Sequence, residues 1–269
     1  MSITDARGTI HSADIPAQRI VSLVPSSTET LFALGVSDQV VGITRFCVHP
    51  KNWVDTLPKV GGTKDIELKK VLALRPDLVI GNCEENTREI FDALDPHVKV
   101  WAPLPKTIEE AIDDLGHMGQ LVGAETAAKQ WMDEARSTVN FARTHRQPFT
   151  YAYLIWNDPL MSISDDTFIA EMLRTVGGTN VFAEHADRFP TVTADEIERA
   201  DPEVLLLSSE PFPFKERHRD ALIKSTNLPP HRIRFINGEY ASWHGSRMVD
   251  GLRYLQHHAP DQWEQRPAQ

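Results

Sequence analysis

The residues able to do chemistry fall in short clusters, each close behind an apolar run. Pro25-Ser26-Ser27-Thr28 opens a helix-forming stretch, and free backbone N–H groups at a helix start attract anions. The same residues with Glu29 fit a capping box with Ser26 as N-cap, which needs no ligand. Arg45-Phe46-Cys47-Val48-His49-Pro50 supplies a guanidinium that can grip carboxylate or phosphate through two parallel bonds. Cys47 and His49 offer thiolate and imidazole to a soft metal, with His244 as a further candidate. Two ligands two residues apart, without CxxC or HExxH support, make a sparse pattern. A packed cysteine and a loop histidine are the plainer reading.

Two later clusters carry carboxylates and rings. Glu84 and Glu85 in Asn82-Cys83-Glu84-Glu85-Asn86, and Glu210 in Glu210-Pro211-Phe212-Pro213-Phe214, could oppose each other as a general acid–base pair. Helix-start carboxylates held by the dipole explain them equally well. Phe212 and Phe214 sit on a proline-stiffened segment suited to stacking on a flat ligand. Tyr240-Ala241-Ser242-Trp243-His244-Gly245-Ser246-Arg247 joins rings, imidazole and guanidinium, which fits a planar, anionic ligand. The alternative there is a core tryptophan and a structural ion pair. GxSxG, GxxxxGK[ST] and GxGxxG are all absent, which ranks binding above catalysis.

Strands alternating with helices must position these clusters. Arg19 to Pro25, Val40 to Ile43, Arg75 to Ile80 and Phe149 to Ile155 have the β-branched, apolar character of buried strands. Glu67–Leu74, Thr107 to about Val122 and Thr167–Val176 have helical spacing. From Ala124 to about His145 there is neither proline nor glycine, and Ala124, Ala127, Ala128, Trp131, Ala135, Val139 and Ala142 form one apolar stripe. That predicts a helix about 30 Å long. The chain also repeats itself: Ala73 to Glu84 matches Arg199 to Glu210 without a gap, 126 residues apart. The expectation is an α/β fold of two Rossmann-like lobes, at 1–119 and 148–269, joined by a single long backbone helix at 120–147. Ligands of such lobes bind beyond the carboxyl ends of parallel strands, in a cleft.

Composition narrows the classes of partner. Among 269 residues, 38 acidic side chains face 28 basic ones, a formal charge of −10. With no local basic patch, nucleic acid is an unfavourable partner. The longest apolar runs fall far short of the roughly 18 residues needed to span a bilayer. Two cysteines do not make a disulfide framework. Asp5, Arg7, His11 and Asp14 interrupt the first twenty residues, so no secretory leader is expected within them and the expected compartment is the cytoplasm. A leader upstream of Met1 would make it the periplasm.

Arg19-Ile-Val-Ser-Leu-Val-Pro-Ser-Ser-Thr-Glu29, Gly61-Gly-Thr63, Leu74-Arg-Pro-Asp-Leu-Val-Ile80 and the lone long helix resemble the metal-chelate substrate-binding proteins. These form the TroA-like, cobalamin- and siderophore-type superfamily of periplasmic binding proteins. Thr44 to Pro50, Gly61 to Lys64, Glu84 to Asn86, Ser209 to Phe214 and Ser242 to Arg247 resemble its helical backbone metal receptor branch. The resemblance implies two lobes on a rigid helix, a shallow cleft and little hinge closure. It also implies no resident cofactor, a small-molecule metal chelate as ligand, and an ABC permease as partner. In importers a glutamate seven residues before each Pro-Asp turn docks on permease arginines; here those positions are Lys69 and Asp195, with Glu67 and Glu196 nearby. Lys69 would set positive against positive. The positions near Thr63 and Asn82, aromatic in cobalamin binders, are not aromatic here, whereas Phe46, Trp156, Phe189, Phe212 and Trp243 could rebuild an aromatic cleft.

The expected function is therefore a monomeric, non-catalytic receptor for a siderophore-, haem- or corrinoid-like chelate or similar anion. Arg45, Lys64 and Arg247 would hold its negative groups, and Phe46, Trp156, Phe212, Phe214 and Trp243 would stack on it. Ser26, Ser27 and Thr28 would give donors, with Glu84, Glu85, Glu210 and His244 around it. One alternative is an ABC importer component for cobalamin or an iron siderophore. Another is a cytoplasmic metal-handling protein or enzyme using Glu84, Glu210, His49 and His244.

Overall fold

A computed structural model describes residues 2–257. Its chain divides into two compact units, Met1–Pro105 with Glu109–Glu134 and His244–Arg247, and Lys106–Ile108 with Ala135–Trp243 and the residues from Met248. Each unit is built on a four-stranded, all-parallel sheet. In the first the spatial order is Val40–Ile43, Ile20–Ser22, Leu78–Ile80, Lys99–Trp101. In the second it is Gly178–Asn180, Phe149–Leu154, Val204–Ser208, Ile233–Ile236. The chain thus lays down second, first, third and fourth strands in the same order twice.

The strands read as unbroken apolar runs because helices cover both faces of a parallel sheet. In the first unit Ile20, Ile80 and Trp101 point into one core with Leu31, Met118 and Leu121, while Val21, Val79 and Val100 point into another with Val71, Phe91 and Leu94. Ala152, Leu154, Leu205, Leu207 and Ile233 form the corresponding core of the second unit with Ile197 and Leu222. Full burial of one such side chain is worth roughly 1.5–3 kcal/mol.

The apolar stripe from Ala124 onward forms the Glu125–Thr144 helix, with Ala128, Ala135, Val139 and Ala142 buried. Its residues to Glu134 group with the first unit and those from Ala135 with the second. The preceding Ile108–Val122 helix approaches it closely at Gly119, where a Cβ would strike Ala128.

One local expectation is corrected. The first helix runs Pro25–Ala33, with Val24 at the N-cap and no side-chain cap. Proline at the first helical position starts the helix before Ser26 can cap it, so the capping box of Ser26 and Glu29 does not form. Also unforeseen was the antiparallel pair Ser2–Thr4 and Ile10–Ser12. It is clasped by the buried Asp5 carboxylate, which accepts the Arg7 and Thr9 backbone N–H groups, each at 2.9 Å, and the Arg7 Nε–H at 3.0 Å.

Candidate functional site

In the first unit the loops at the carboxyl ends of the sheet carry Arg45, Phe46, Glu84 and Glu85, and Ser26 lies in the first turn of the helix that follows the Ile20–Ser22 strand. Arg45 forks both Asp65 carboxylate oxygens at 3.0 Å and lies 5.0 Å over the Phe46 ring. The guanidinium is about half exposed, and Phe46 is 49% exposed. The Arg45 N–H is held by the Gly61 carbonyl at 2.9 Å, which ties this loop to the Gly61–Lys64 segment, where Lys64 is exposed. Glu84 and Glu85 are exposed on a turn whose N–H groups reach the Asn82 side-chain oxygen at 2.8 and 3.3 Å.

The serines and the threonine at the helix start turn inward instead. Ser26, Ser27 and Thr28 are all buried. The Thr28 hydroxyl sits 2.8 Å from Ser22 Oγ, 3.0 Å from the Val24 carbonyl and 3.0 Å from Cys47 Sγ. Cys47 itself lies in the first core, and burial pushes its thiol up despite hydroxyl contacts from Thr28 and Thr44. A thiol so held is a poor metal ligand. Among the described residues no three of His, Cys, Asp or Glu converge to hold a metal ion, and Cys47, His49 and His244 do not form such a group.

His244 and Arg247 belong to the first unit and are committed there. Arg247 forks Glu29, Nε to Oε2 at 2.5 Å and Nη2 to Oε1 at 2.7 Å, so the carboxylate expected in a capping box serves an ion pair. The His244 ring is buried: Nε2 lies 3.1 Å from Asn82 Nδ2 and 3.5 Å from Ser26 Oγ, and Nδ1 lies 3.9 Å from Asp114 Oδ2. Burial lowers the His244 imidazole to about 4 and raises the Asp114 carboxyl to about 7, although Asp114 Oδ1 accepts the Trp101 indole N–H at 2.8 Å. Sequence reasoning singled out neither Asn82 nor Asp114 for the site. The signal for Asp114 was its phase: it shares a helix face with Ala111, Leu115 and Met118, whereas Asp113 is exposed.

The second unit presents rings. Trp156, 41% exposed, is edge-on to Phe212 at 5.6 Å, and Phe212 meets both Phe214 and His218 at 5.0 Å. Phe214 is buried in the second core rather than offered for stacking. His218, on the Glu216–Thr226 helix, completes this ring cluster and was not foreseen. Glu210 Oε1 accepts the Ser242 hydroxyl and the Trp243 indole N–H, each at 2.8 Å, so this carboxylate orders the loop and Trp243 is buried. A cavity of about 90 Å³ in this unit, lined by Phe149, Leu173, Leu206, Arg234, Phe235, Ile236 and Leu255, contains none of the predicted residues.

Comparison with known proteins adds a family. The model of a family described as "Periplasmic binding protein" matches residues 20–227. The Vitamin B12-binding protein of Vibrio cholerae is 25% identical over 244 residues, covering 89% of this chain and 88% of that protein. The periplasmic heme-binding protein of Roseiflexus sp. RS-1 superposes with a TM-score of 0.80 at 22% identity, over 92% of this chain and 99% of its own. An ABC-type Fe3+-hydroxamate transport structure from Saccharomonospora viridis gives 0.76 at 22% identity, over 96% and 98%.

Proposed function

The chain belongs to the periplasmic binding protein family, and we propose that within it this protein is a non-catalytic receptor for an anionic metal chelate of siderophore, haem or corrinoid type. The carrying observation is that each unit, taken by itself, exposes rings at its strand carboxyl ends: Arg45 over Phe46 in the first, Trp156 with Phe212 in the second. A delocalised, weakly hydrated guanidinium on a ring suits a flat anion better than it suits a hydrated ion. Relatives named for vitamin B12, heme and Fe3+-hydroxamate support the ligand class. Lys64, Glu84 and Glu85 remain in the proposed site as exposed groups of the first unit. Arg247, Glu210, Trp243 and Phe214 pass from ligand contacts to groups that shape the loops, because each is buried or engaged and shielded. Arg45 is also paired, with Asp65, but is about half exposed and must exchange that partner for a ligand.

The test is a titration of the purified chain with cyanocobalamin, hemin and ferrioxamine, followed by absorbance and tryptophan fluorescence. One chelate is expected to bind, and Trp156→Ala or Arg45→Gln to weaken it ~10-fold or more, about 1.4 kcal/mol. Failure of all three to bind ends this reading.

An importer role, with an ABC permease as partner and the chain acting as a monomer, is the finer reading. Of the acidic residues near the docking positions, Glu67 is exposed and paired with Lys70 at 2.7 Å, and Glu196 is held in its capping box with Thr193. Both must exchange these partners to dock, so a permease interaction is expected to be salt-sensitive. Family members are periplasmic by description, which supports that compartment over the cytoplasmic one; fractionation of the native host decides between them.

A further inference from the structure

After Trp243 the chain contributes His244–Arg247 to the first unit, and from Met248 it belongs to the second again. Three attachments seat this strap. Arg247 forks Glu29, and the Ser246 N–H donates to Thr30 Oγ1 at 3.1 Å. Gly245 takes φ +78° against Thr30, where a Cβ would collide with the hydroxyl. The third attachment is the His244 ring, and its proton can be located. Asn82 Oδ1 accepts the Glu84 and Glu85 N–H groups, so Asn82 Nδ2 is a donor, and His244 Nε2 at 3.1 Å must be its unprotonated acceptor. The ring proton of neutral His244 is then on Nδ1, which faces Asp114 Oδ2 at 3.9 Å.

We propose that Asn82 and Asp114 are positioning residues that make His244 an acid-sensitive pin, and that a proton on His244 Nε2 unseats the His244–Arg247 strap. The added N–H would point at the Asn82 N–H, exchanging a hydrogen bond for a donor facing a donor, with Ser26 Oγ, 3.5 Å away, as a long and weak acceptor. From the Pro25–Ala33 helix the neighbouring polar groups are Ser26 and Glu29, the latter held by Arg247. From the loop after Leu78–Ile80 they are Asn82 and the exposed Glu84 and Glu85. From the Ile108–Val122 helix it is Asp114; His117 on the same helix packs edge-on to Trp101, and burial pushes its imidazole down. Burial resists the pin's protonation, so the seat holds through neutral pH and gives way toward about 4. Trp243 directly precedes the pin, so the strap would also release the loop that Glu210 orders, and with it ligand; that last step alone rests on the binding role.

Two measurements on the full chain test this. Nitrogen NMR of the histidines at about pH 7.5 should find His244 with its proton on Nδ1. Hydrogen exchange, corrected for intrinsic rates, should show the strap losing ~10-fold or more protection between about pH 7 and 4.5, beyond any loss in the Leu78–Ile80 strand. His244→Gln, which keeps an acceptor for Asn82 and cannot take up the proton, should stay seated at neutral pH and lose the acid response. Asn82→Leu should expose the strap at every pH. A proton on Nε2 at neutral pH, or an unchanged acid response in His244→Gln, overturns the proposal. These readouts need no ligand, so they stand or fall apart from the chelate titration; hemin affinity measured across the same pH range then tests the release step.

Discussion

The two units share a plan down to single residues, 126 positions apart. Arg75 and Asp201 both take left-handed backbone, at φ 47° and 43°, directly before Pro76 and Pro202. Two residues on, Asp77 and Glu203 each turn a carboxylate onto the start of the neighbouring strand. Asp77 accepts the Gln18 and Arg19 N–H groups at 2.9 and 3.0 Å; Glu203 accepts the Thr150 N–H at 2.5 Å and its hydroxyl at 3.3 Å. At the carboxyl ends of the sheets the likeness stops. The first unit buries ionisable groups there and beside its N-terminal strand pair, with Asp5, His11, Asp114 and His244 all shielded from water, whereas the second gathers Trp156, Phe212, Phe214 and His218. Backbone geometry dictates the turn between helix and strand, so both copies keep it. The loops beyond the strands answer only to what they bind, so they are free to diverge.

The largest break in this comparison should come from Trp101. Its ring is fully buried, edge-on to His11 at 5.4 Å and His117 at 5.5 Å, and its N–H satisfies Asp114. Trp101→Ala should cost the first unit about 3–5 kcal/mol. Residue-resolved hydrogen exchange in urea should show that loss in the Ile20–Ser22 and Leu78–Ile80 strands, with the Val204–Ser208 strand little changed. Equal loss in both sheets would mean that the units do not open separately.

Acid and base should separate the units next. Asp114 holds its proton more tightly folded than unfolded, so its contribution is full below its ordinary value of 3.8 and fades as pH rises through about 7. His244 is the reverse: its contribution is full above its ordinary 6.5 and fades as pH falls toward about 4. Each limb is worth on the order of 2–4 kcal/mol. The two windows overlap with opposite sign, so in the wild type the two contributions largely offset between about pH 4 and 6.5, and each shows in full only when the other is removed. In the second unit the buried, shifted groups are the Tyr151 and Tyr153 phenols, pushed up by burial and silent over this range. Asp114→Asn should remove that offset and leave a first unit that loses stability as pH falls from about 6.5 toward 4, and a urea midpoint series in wild type and variant reads this directly.

The scaffold was legible in the sequence because its signals are local. A Pro-acid turn, an apolar triplet and a helix stripe each declare themselves within a dozen residues, and the 126-residue repeat joins two such sets. Phe46 and Trp156 were singled out for the same reason, since each closely follows an apolar strand, and both are exposed. The polar half of the candidate site was legible only in outline, since a structural ion pair was one of two readings for Arg247 and its partner was not among the signals. Glu29 and Arg247 are 218 positions apart, and the capping-box pattern around Ser26 offered Glu29 a nearer partner. Which of Asp113 and Asp114 is buried depends on helix phase, and His244 becomes a buried acceptor only because Asn82 is itself oriented by two backbone N–H groups. Such assignments depend on contacts between distant segments, which no local pattern encodes.

The smallest predicted effect sharpens the comparison at its most alike position. A left-handed backbone costs a side chain with a Cβ roughly 1–2 kcal/mol, less for Asp, whose short polar group tolerates that region. Asp201 also binds Arg232, Nη1 to Oδ1 at 2.6 Å, across an exposed surface where such a pair adds little. Arg75 is a long side chain in the same conformation without that local compatibility. Arg75→Gly should therefore stabilise the first unit by about 1 kcal/mol, less the extra backbone entropy glycine loses on folding. Asp201→Gly should leave the second unit unchanged within about 0.5 kcal/mol. If both substitutions shift their units' urea midpoints alike, the turn is governed by φ alone; a gain only at Arg75 shows that the side chain at this shared position distinguishes the two copies.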